Sequence, residues 1–328
     1  MERRCKHLHW KAFLVTTPAL LWFAMLLVAM RLSSAEPLRV GYYDLSCPSA
    51  ERIIRQAMER GMQQDQGIAA GVLRLHFHDC FVEGCDGSVL LDNPNSEKTS
   101  PPNFSLRGFE VVDAAKADLE ALCPGVVSCA DILAFGARDA VELMGGLGWR
   151  VRAGRYDGRV SSAARALAEI PDPRYTVEEI TALFARKGLS KSDMIVLSGA
   201  HTIGRAHCAS VTPRLYPVQD PQMSQAMAAF LRTACPPQGG SAATFSLDST
   251  TPYRFDNMYY TNLIANRGLL HSDQALINDM STRGETIFNS FAAGPWAFQF
   301  SRVMIEMGNI QVKSGPDGEI RRHCRFIN

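Results

Sequence analysis

The chain has 328 residues, 46% of them apolar, with 34 Lys or Arg against 33 Asp or Glu and a formal net charge of +1. That length can bury one large core or two closely packed halves. Charges of both signs are interspersed and no basic run occurs, so nucleic acid is excluded as the expected partner.

The chain opens on Arg3, Arg4, Lys6 and Lys11, then an apolar stretch from Ala12 to Met30, then Ser33-Ser34-Ala35. A basic start, an apolar centre and small residues form the pattern of a cleaved secretory signal, here 1–35. An uncleaved membrane anchor is the alternative; Pro18 and the small residues favour cleavage. Cutting after Ala35 takes five basic residues and one acidic residue from the totals, leaving 29 against 32, net −3, in a domain of residues 36–328. Cys5 leaves with the signal, and Cys47, Cys80, Cys85, Cys123, Cys129, Cys208, Cys235 and Cys324 remain. An even count in a secreted chain implies four disulfides, but about a hundred pairings are possible and spacing does not choose among them. No C-x-x-C pair is present, which argues against a zinc ribbon.

Helical periodicity follows. Pro48 to Gln64 carries Ile53, Ile54, Ala57 and Met58 on one stripe, and Gly67 to Phe81 repeats the pattern through Ile68, Val72, Leu75 and Phe77. In the second helix Arg74 and His78 are four apart and share a face with Phe77 beside them, while His76 is turned to the far side. A cation beside a histidine lowers its pKa and keeps the ring neutral. A neutral imidazole can accept a proton and a guanidinium can stabilise a forming anion, which suits deprotonating a peroxide and splitting its O–O bond. An isolated R-x-x-x-H is more often an ordinary helix with a satisfied histidine and a surface arginine.

The next ten residues, Asp79 to Ser88, hold carboxylates, a hydroxyl and two glycines at short spacing. Hard oxygen ligands on a tight loop suit Ca²⁺, and Cys80 and Cys85 could close that loop; a solvated acidic turn is the plainer alternative. Phe109 to Leu122 and Ser128 to Leu143 are further helices, divided by Pro124-Gly125. Thr176-Val177-Glu178-Glu179 is a capping box that opens a helix stopped by Gly188. Ser190 caps the next helix, which runs through Met194, Ile195 and Leu197 to Gly199 and sets His201 at its end among small residues. Such a histidine lets a flat cofactor approach, and haem iron is commonly held by one. It would need an acceptor on its other ring nitrogen; a structural histidine is the alternative. Pro295 to Met307 is the last long helix. Strand signals are few and short, so the chain reads as mainly α.

Arg74 to Leu91 resembles the distal segment of the plant secretory (class III) haem peroxidases nearly residue for residue, and Leu197 to Gly204 resembles their proximal segment. Further matches are Tyr43 to Pro48, Glu97-Lys98, Arg107-Gly108-Phe109, Val127 to Asp131, Gly145 to Trp149, Phe255-Asp256-Asn257, Gly268 to Gln274 and Met307-Gly308-Asn309. The likeness runs from about residue 40 to residue 326. It implies a haem peroxidase fold, two helical halves sandwiching the haem, with one haem b and two Ca²⁺ per chain. It also implies a monomer, secreted to the extracellular space or cell wall and without stable membrane association after signal cleavage. The implied reaction reduces hydrogen peroxide to water and oxidises phenolic or aromatic donors by one-electron steps, with roles in peroxide removal, oxidative stress and cell-wall phenolic chemistry.

By this resemblance His78 is the distal acid/base, Arg74 the transition-state stabiliser and Asn103 the residue that orients His78. His201 is the axial haem ligand, Asp273 the carboxylate that takes its Nδ1 proton, and Pro171 a donor contact at the haem edge. One calcium site would use Asp79, Val82, Gly84, Asp86 and Ser88, supported through water by Glu97. The other would use Thr202, Asp248, Thr251, the carbonyl of Arg254, and Asp256. The implied disulfides are Cys47–Cys123, Cys80–Cys85, Cys129–Cys324 and Cys208–Cys235.

The chain departs from the family pattern in three places. Ser210 stands where many members carry an aromatic residue, the segment after Asn103 is one residue shorter, and Gly154-Arg155-Tyr156-Asp157 replaces a more usual double arginine. The first two bear on the substrate entrance. Asn103-Phe104-Ser105 is formally a glycosylation sequon, which a buried Asn103 would not use. Two other readings compete. A zinc enzyme would use His76 and His78, but a helix aims residues two apart in different directions. A non-catalytic calcium-binding or wall-structural protein would not need Arg74, His78, His201 and Asp273 together.

Overall fold

A computed structural model describes residues 38–328; the expected signal at 1–35 lies outside them. Among the described residues, thirteen α-helices and one two-stranded sheet make a mainly α fold. No helix there is long and apolar enough to cross a membrane.

The helices are α1 (Ala50–Gln64), α2 (Ile68–Val82), α3 (Phe109–Leu122), α4 (Cys129–Leu143), α5 (Ala163–Glu169), α6 (Val177–Arg186) and α7 (Lys191–Ser198). They continue with α8 (Cys208–Leu215), α9 (Gln225–Arg232), α10 (Met258–Ile264), α11 (His271–Asn278), α12 (Met280–Phe291) and α13 (Ala293–Met307). Strands β1 (Arg205–His207) and β2 (Thr244–Ser246) pair antiparallel, Ala206 opposite Phe245.

α1 buries the expected stripe of Ile53, Ile54, Ala57 and Met58. α2 differs: it buries both its apolar residues and His76, His78 and Asp79, leaving almost no outer face. A helix covered all round belongs to the centre of a core, and α2 packs most extensively against α4. Caps stand where the sequence places them. Ser128 Oγ accepts from Asp131 N at the start of α4. Thr176 with Glu179 and Ser190 with Asp193 form reciprocal boxes at α6 and α7.

Six short helices between Ala163 and Phe291 escape the periodicity reading. α12 shows why: it buries Thr282, Thr286 and Asn289, while Ile287, Phe288 and Phe291 face outward. Its buried hydroxyls are held by carbonyls, Thr282 Oγ1 and Thr286 Oγ1 both donating to Leu276 O. A helix docked through side-chain hydrogen bonds carries no apolar stripe to read.

All four expected disulfides are present: Cys47–Cys123, Cys80–Cys85, Cys129–Cys324 and Cys208–Cys235. The third ties the start of α4 to the chain's last residues. The fourth staples a small second core of Ala206, Val211, Leu215, Met223, Ala228, Leu231 and Leu269 beside the main one. Gly154-Arg155-Tyr156-Asp157 supplies two anchors. Arg155 is buried, with Nη1 2.7 Å from Asp131 Oδ1 and Nε and Nη2 donating to Gly308 O. Removing either ion would strand its partner's charge in the core, a loss of about 3–5 kcal/mol. Asp157 accepts from Cys129 N and Ala130 N at the head of α4, and from Arg321 N.

Candidate active site

α2 brings Arg74 and His78 together as its spacing requires. Arg74 Nε donates to His78 Nε2 at 3.0 Å. A guanidinium has no acceptor, so Nε2 is the unprotonated nitrogen and Nδ1 carries the hydrogen. Nδ1 lies 2.6 Å from Asn103 Oδ1, which accepts that hydrogen. Asn103 is itself buried, its Nδ2 donating to Glu97 O at 2.9 Å; the formal sequon is therefore inaccessible. Burial, then the Arg74 charge, push the His78 ring well below the ordinary histidine range. Burial also lowers Arg74, to about 10, which leaves it charged at neutral pH.

Residues on both sides of Asn103 hold Arg74. Nη1 donates to Ser105 Oγ and Nη2 to Pro102 O, both at 2.9 Å. Ser105 lies 31 residues from Arg74 and carries no sequence signal beyond the third position of a sequon. His76 is on another face: its Nδ1 lies 3.7 Å from Cys80 Sγ, and burial, then Arg155, push it down to about 3. His76 and His78 thus serve different neighbours, and nothing joins them at a zinc site.

His201 follows α7 in a single 3₁₀ turn, Gly199–Thr202. Its Nδ1 lies 2.8 Å from Asp273 Oδ1, and Asp273 is buried in the first turn of α11. Burial works to lower the His201 pKa, but the Asp273 charge and hydrogen bond outweigh it and the net shift is upward. With Nδ1 committed, the side chain keeps 40% of its surface open. That leaves Nε2 as the available nitrogen, the pattern of a metal-bound histidine backed by a carboxylate. Tyr259 OH donates to the same Asp273 Oδ1 at 2.9 Å, a partner that no spacing in the sequence announces.

The His78 and His201 segments face one another. The Arg74 charge acts on His201. A Cβ on Gly204, where φ is +95, would come within 3.2 Å of Ala70 Cβ, one turn before Arg74. The Pro171 turn joins from the side: Ser272 N, next to Asp273, donates to Pro173 O at 2.9 Å. Ser210 sits partly buried in α8. The haem group expected by resemblance fits the residues present. An imidazole with its Nδ1 engaged and its ring open faces a buried, neutral histidine and a charged arginine.

Both candidate calcium clusters assemble. Asp79, Asp86, Ser88 and Glu97 are all buried, and Ser88 Oγ and Glu97 Oε2 lack a hydrogen-bond partner. Asp79 accepts from Gly87 N and Val89 N, and Asp86 Oδ1 from Ser88 N. Val82 and Gly84 lie in the same turn, Gly84 at φ +93. Burial, then the Asp86 charge, push Asp79 well above the usual carboxylate range; burial, then Asp79, do the same to Glu97; and burial lifts Asp86 to about 6. Three buried carboxyls, with Ser88 Oγ and Glu97 Oε2 left without partners, fit a cation that would reverse those shifts. At the second cluster, Thr202 Oγ1 and Thr251 Oγ1 each lie 3.1–3.3 Å from both Asp248 Oδ2 and Asp256 Oδ1. Two hydroxyls and two carboxylates converging on one point are a hard-oxygen set. Arg254 adjoins it, Nε 3.7 Å from Asp256 Oδ2. Among the described residues no group of three or more His, Cys, Asp or Glu is arranged for a metal, so each cluster needs its hydroxyl and carbonyl oxygens as well.

Comparison with known proteins places the chain in a family. The peroxidase family model matches residues 54–293. Peroxidase 5 of Vitis vinifera is 46% identical over 325 residues, covering 96% of this chain and 98% of that protein. Peroxidase 71 of Arabidopsis thaliana is 47% identical over 296 residues, 88% of this chain and 89% of its own. Peroxidase 66 of Zea mays is 44% identical over 309 residues, 93% and 95% respectively. With a family match over most of its length and relatives aligned nearly end to end, the chain belongs to the plant class III peroxidases and is a peroxidase enzyme.

Proposed function

We propose that the chain, after loss of residues 1–35, is a secreted monomeric haem peroxidase that oxidises phenolic and aromatic donors at the cell surface or in the wall. The observation that carries this reading is the hydrogen-bonded chain Arg74–His78–Asn103 opposite the His201–Asp273 pair.

Each residue has a task set by its proton. His78 Nε2, unprotonated, takes a proton from hydrogen peroxide as the peroxide displaces the Arg74 Nε–H from it. The same nitrogen then returns the proton to the departing oxygen, which leaves as water. Arg74 stays charged and turns its N–H groups toward the oxygen that gains negative charge. Asn103 holds the tautomer. A haem in this site would be held through His201 Nε2 and would supply the two electrons that split the O–O bond, to be replaced one at a time by donors. Asp273 keeps the His201 Nδ1 proton engaged and so makes that ligand more electron-donating. Two phenols and one peroxide give two phenoxyl radicals and two waters. Pro171 borders the path by which donors arrive.

Two Ca²⁺ ions would complete the pocket, one held by Asp79, Val82, Gly84, Asp86 and Ser88 with Glu97 behind it, the other by Thr202, Asp248, Thr251, Arg254 and Asp256. Each loop abuts a catalytic histidine: Asp79 follows His78, and Thr202 follows His201. Glu97 also reaches His78 through Asn103. Guaiacol oxidation by the secreted protein, assayed with peroxide before and after calcium depletion, tests the reading. The expected result is turnover that falls on depletion together with the melting temperature, both returning when calcium is restored. Absence of turnover would remove the activity, and an unchanged melting temperature in fully depleted protein would remove both calcium sites.

A further inference from the structure

We propose a second oxidation site at the molecular surface, where Trp149 is connected to His201 by an unbroken relay of aromatic rings. The proposal rests on the haem peroxidase reading above. Tyr259 lies edge-on to His201 with ring centroids 6.2 Å apart. Tyr259 meets Tyr260 at 5.0 Å, and Tyr260 meets Trp296 at 5.8 Å. Trp296 meets Phe300 at 5.8 Å, and Phe300 meets Trp149 at 6.4 Å. These separations are those of rings in contact. Tyr260, Trp296 and Phe300 are at most 1% exposed, so solvent does not reach the middle of the relay.

The far end opens on a cleft of about 470 Å³ lined by Trp149, Asp44, Glu51, Glu142, Arg138 and Arg150. Arg74, His78, His201 and Asp273 are not among its walls, so the cleft is a place apart from the peroxide pocket. Trp149 is only partly buried and presents its ring to whatever enters. A cleft combining an aromatic wall with carboxylates and guanidiniums suits an aromatic molecule bearing hydroxyls. Its chemical class is a bulky phenol, oligomeric or polymeric, too large to approach His78.

Indole and phenol are the most readily oxidised rings among side chains, and contact between π systems lets an electron pass. Tyr259, Tyr260, Trp296 and Trp149 can each lose an electron; Phe300 bridges the two indoles without being oxidised. Tyr259 OH donates to Asp273, so its proton has an acceptor when the ring is oxidised. Trp296 Nε1 and Tyr260 OH donate to the carbonyls of Val196 and Ile195. In each transfer one electron would pass from Trp149 inward through Phe300, Trp296, Tyr260 and Tyr259 to His201, where a peroxide-oxidised haem would accept it. The electron-deficient Trp149 ring takes one electron from the phenol in the cleft, whose hydroxyl proton goes to a cleft carboxylate such as Glu142 and then to solvent. Two such transfers supply the two electrons that one peroxide consumes in becoming two waters, and no bond forms between protein and donor.

The test uses the haem-loaded full chain, wild type and Trp149→Phe, with two donors. Guaiacol is small; reduced cytochrome c is a one-electron donor too large to enter the His78 pocket. Trp149→Phe should lose most of its cytochrome c oxidation and keep its guaiacol turnover. Independently of donor turnover, wild-type protein treated with peroxide alone should show oxygen addition at Trp149 by peptide mass mapping. In Trp149→Phe the oxidation should move back to Trp296 or Tyr260. Equal cytochrome c rates in both proteins, or an unmodified Trp149 in peroxide-treated wild type, would overturn the relay and leave the peroxidase reading standing. Wild-type protein that binds haem but oxidises neither donor would overturn both.

Discussion

His78→Ala is expected to slow the reaction with hydrogen peroxide by about 10² to 10⁴-fold while the haem stays bound and the later reaction with guaiacol changes far less. The size follows from what the ring does. Its Nε2 takes a proton and gives it back within one turnover, so both the deprotonation of peroxide and the departure of water lose their catalyst. The structure adds why no neighbour replaces it. Arg74 is charged and donates only, Asn103 is an amide, and His76 serves Cys80 and the Arg155 side of the helix. Burial and the Arg74 charge keep His78 unprotonated well below the usual histidine range. The wild-type peroxide reaction should therefore hold its rate as pH falls through about 6.5, where an ordinary histidine would already be half protonated. Stopped-flow absorbance on mixing with peroxide measures both. A variant reacting at the wild-type rate would take the base away from His78.

Asp273→Asn is expected to raise the ferric/ferrous potential of the bound haem and slow peroxide cleavage by about 10 to 100-fold, with the fold intact. Asp273 Oδ1 accepts from both His201 Nδ1 and Tyr259 OH. An amide oxygen can still accept from both, so the rings stay in place. What is lost is the negative charge that makes His201 a strong donor and favours the higher oxidation state of iron. Because Tyr259 shares the same oxygen, it draws part of that charge away from His201 in the wild type. A redox titration reads the effect; a potential equal to the wild-type value would detach Asp273 from the haem.

Much of this site was legible in the sequence, for a physical reason. Arg74 and His78 lie on one helix, where a spacing of four fixes their meeting. The caps of α4, α6 and α7 are equally local, and each hydrogen bond lies within three residues of its partner. The contacts that escaped are those made between distant segments. Ser105 reaches Arg74 across 31 residues, and Tyr259 reaches Asp273 from a separate helix. Neither pair leaves a periodic trace. His201 and Asp273 are 72 residues apart, and only the family resemblance connected them beforehand. The disulfide pairing was open on cysteine count alone for the same reason. α12 escaped because it docks through buried hydroxyls, and α8 to α11 because seven or eight residues give only about two turns of an apolar stripe to read.

A haem seated between His78 and His201 is tested most directly by the absorption spectrum of the purified secreted protein. The predicted result is a Soret band that shifts when an equimolar amount of hydrogen peroxide is added and returns when guaiacol follows. Protein with no Soret band, or with a band that peroxide leaves unmoved, would contradict it.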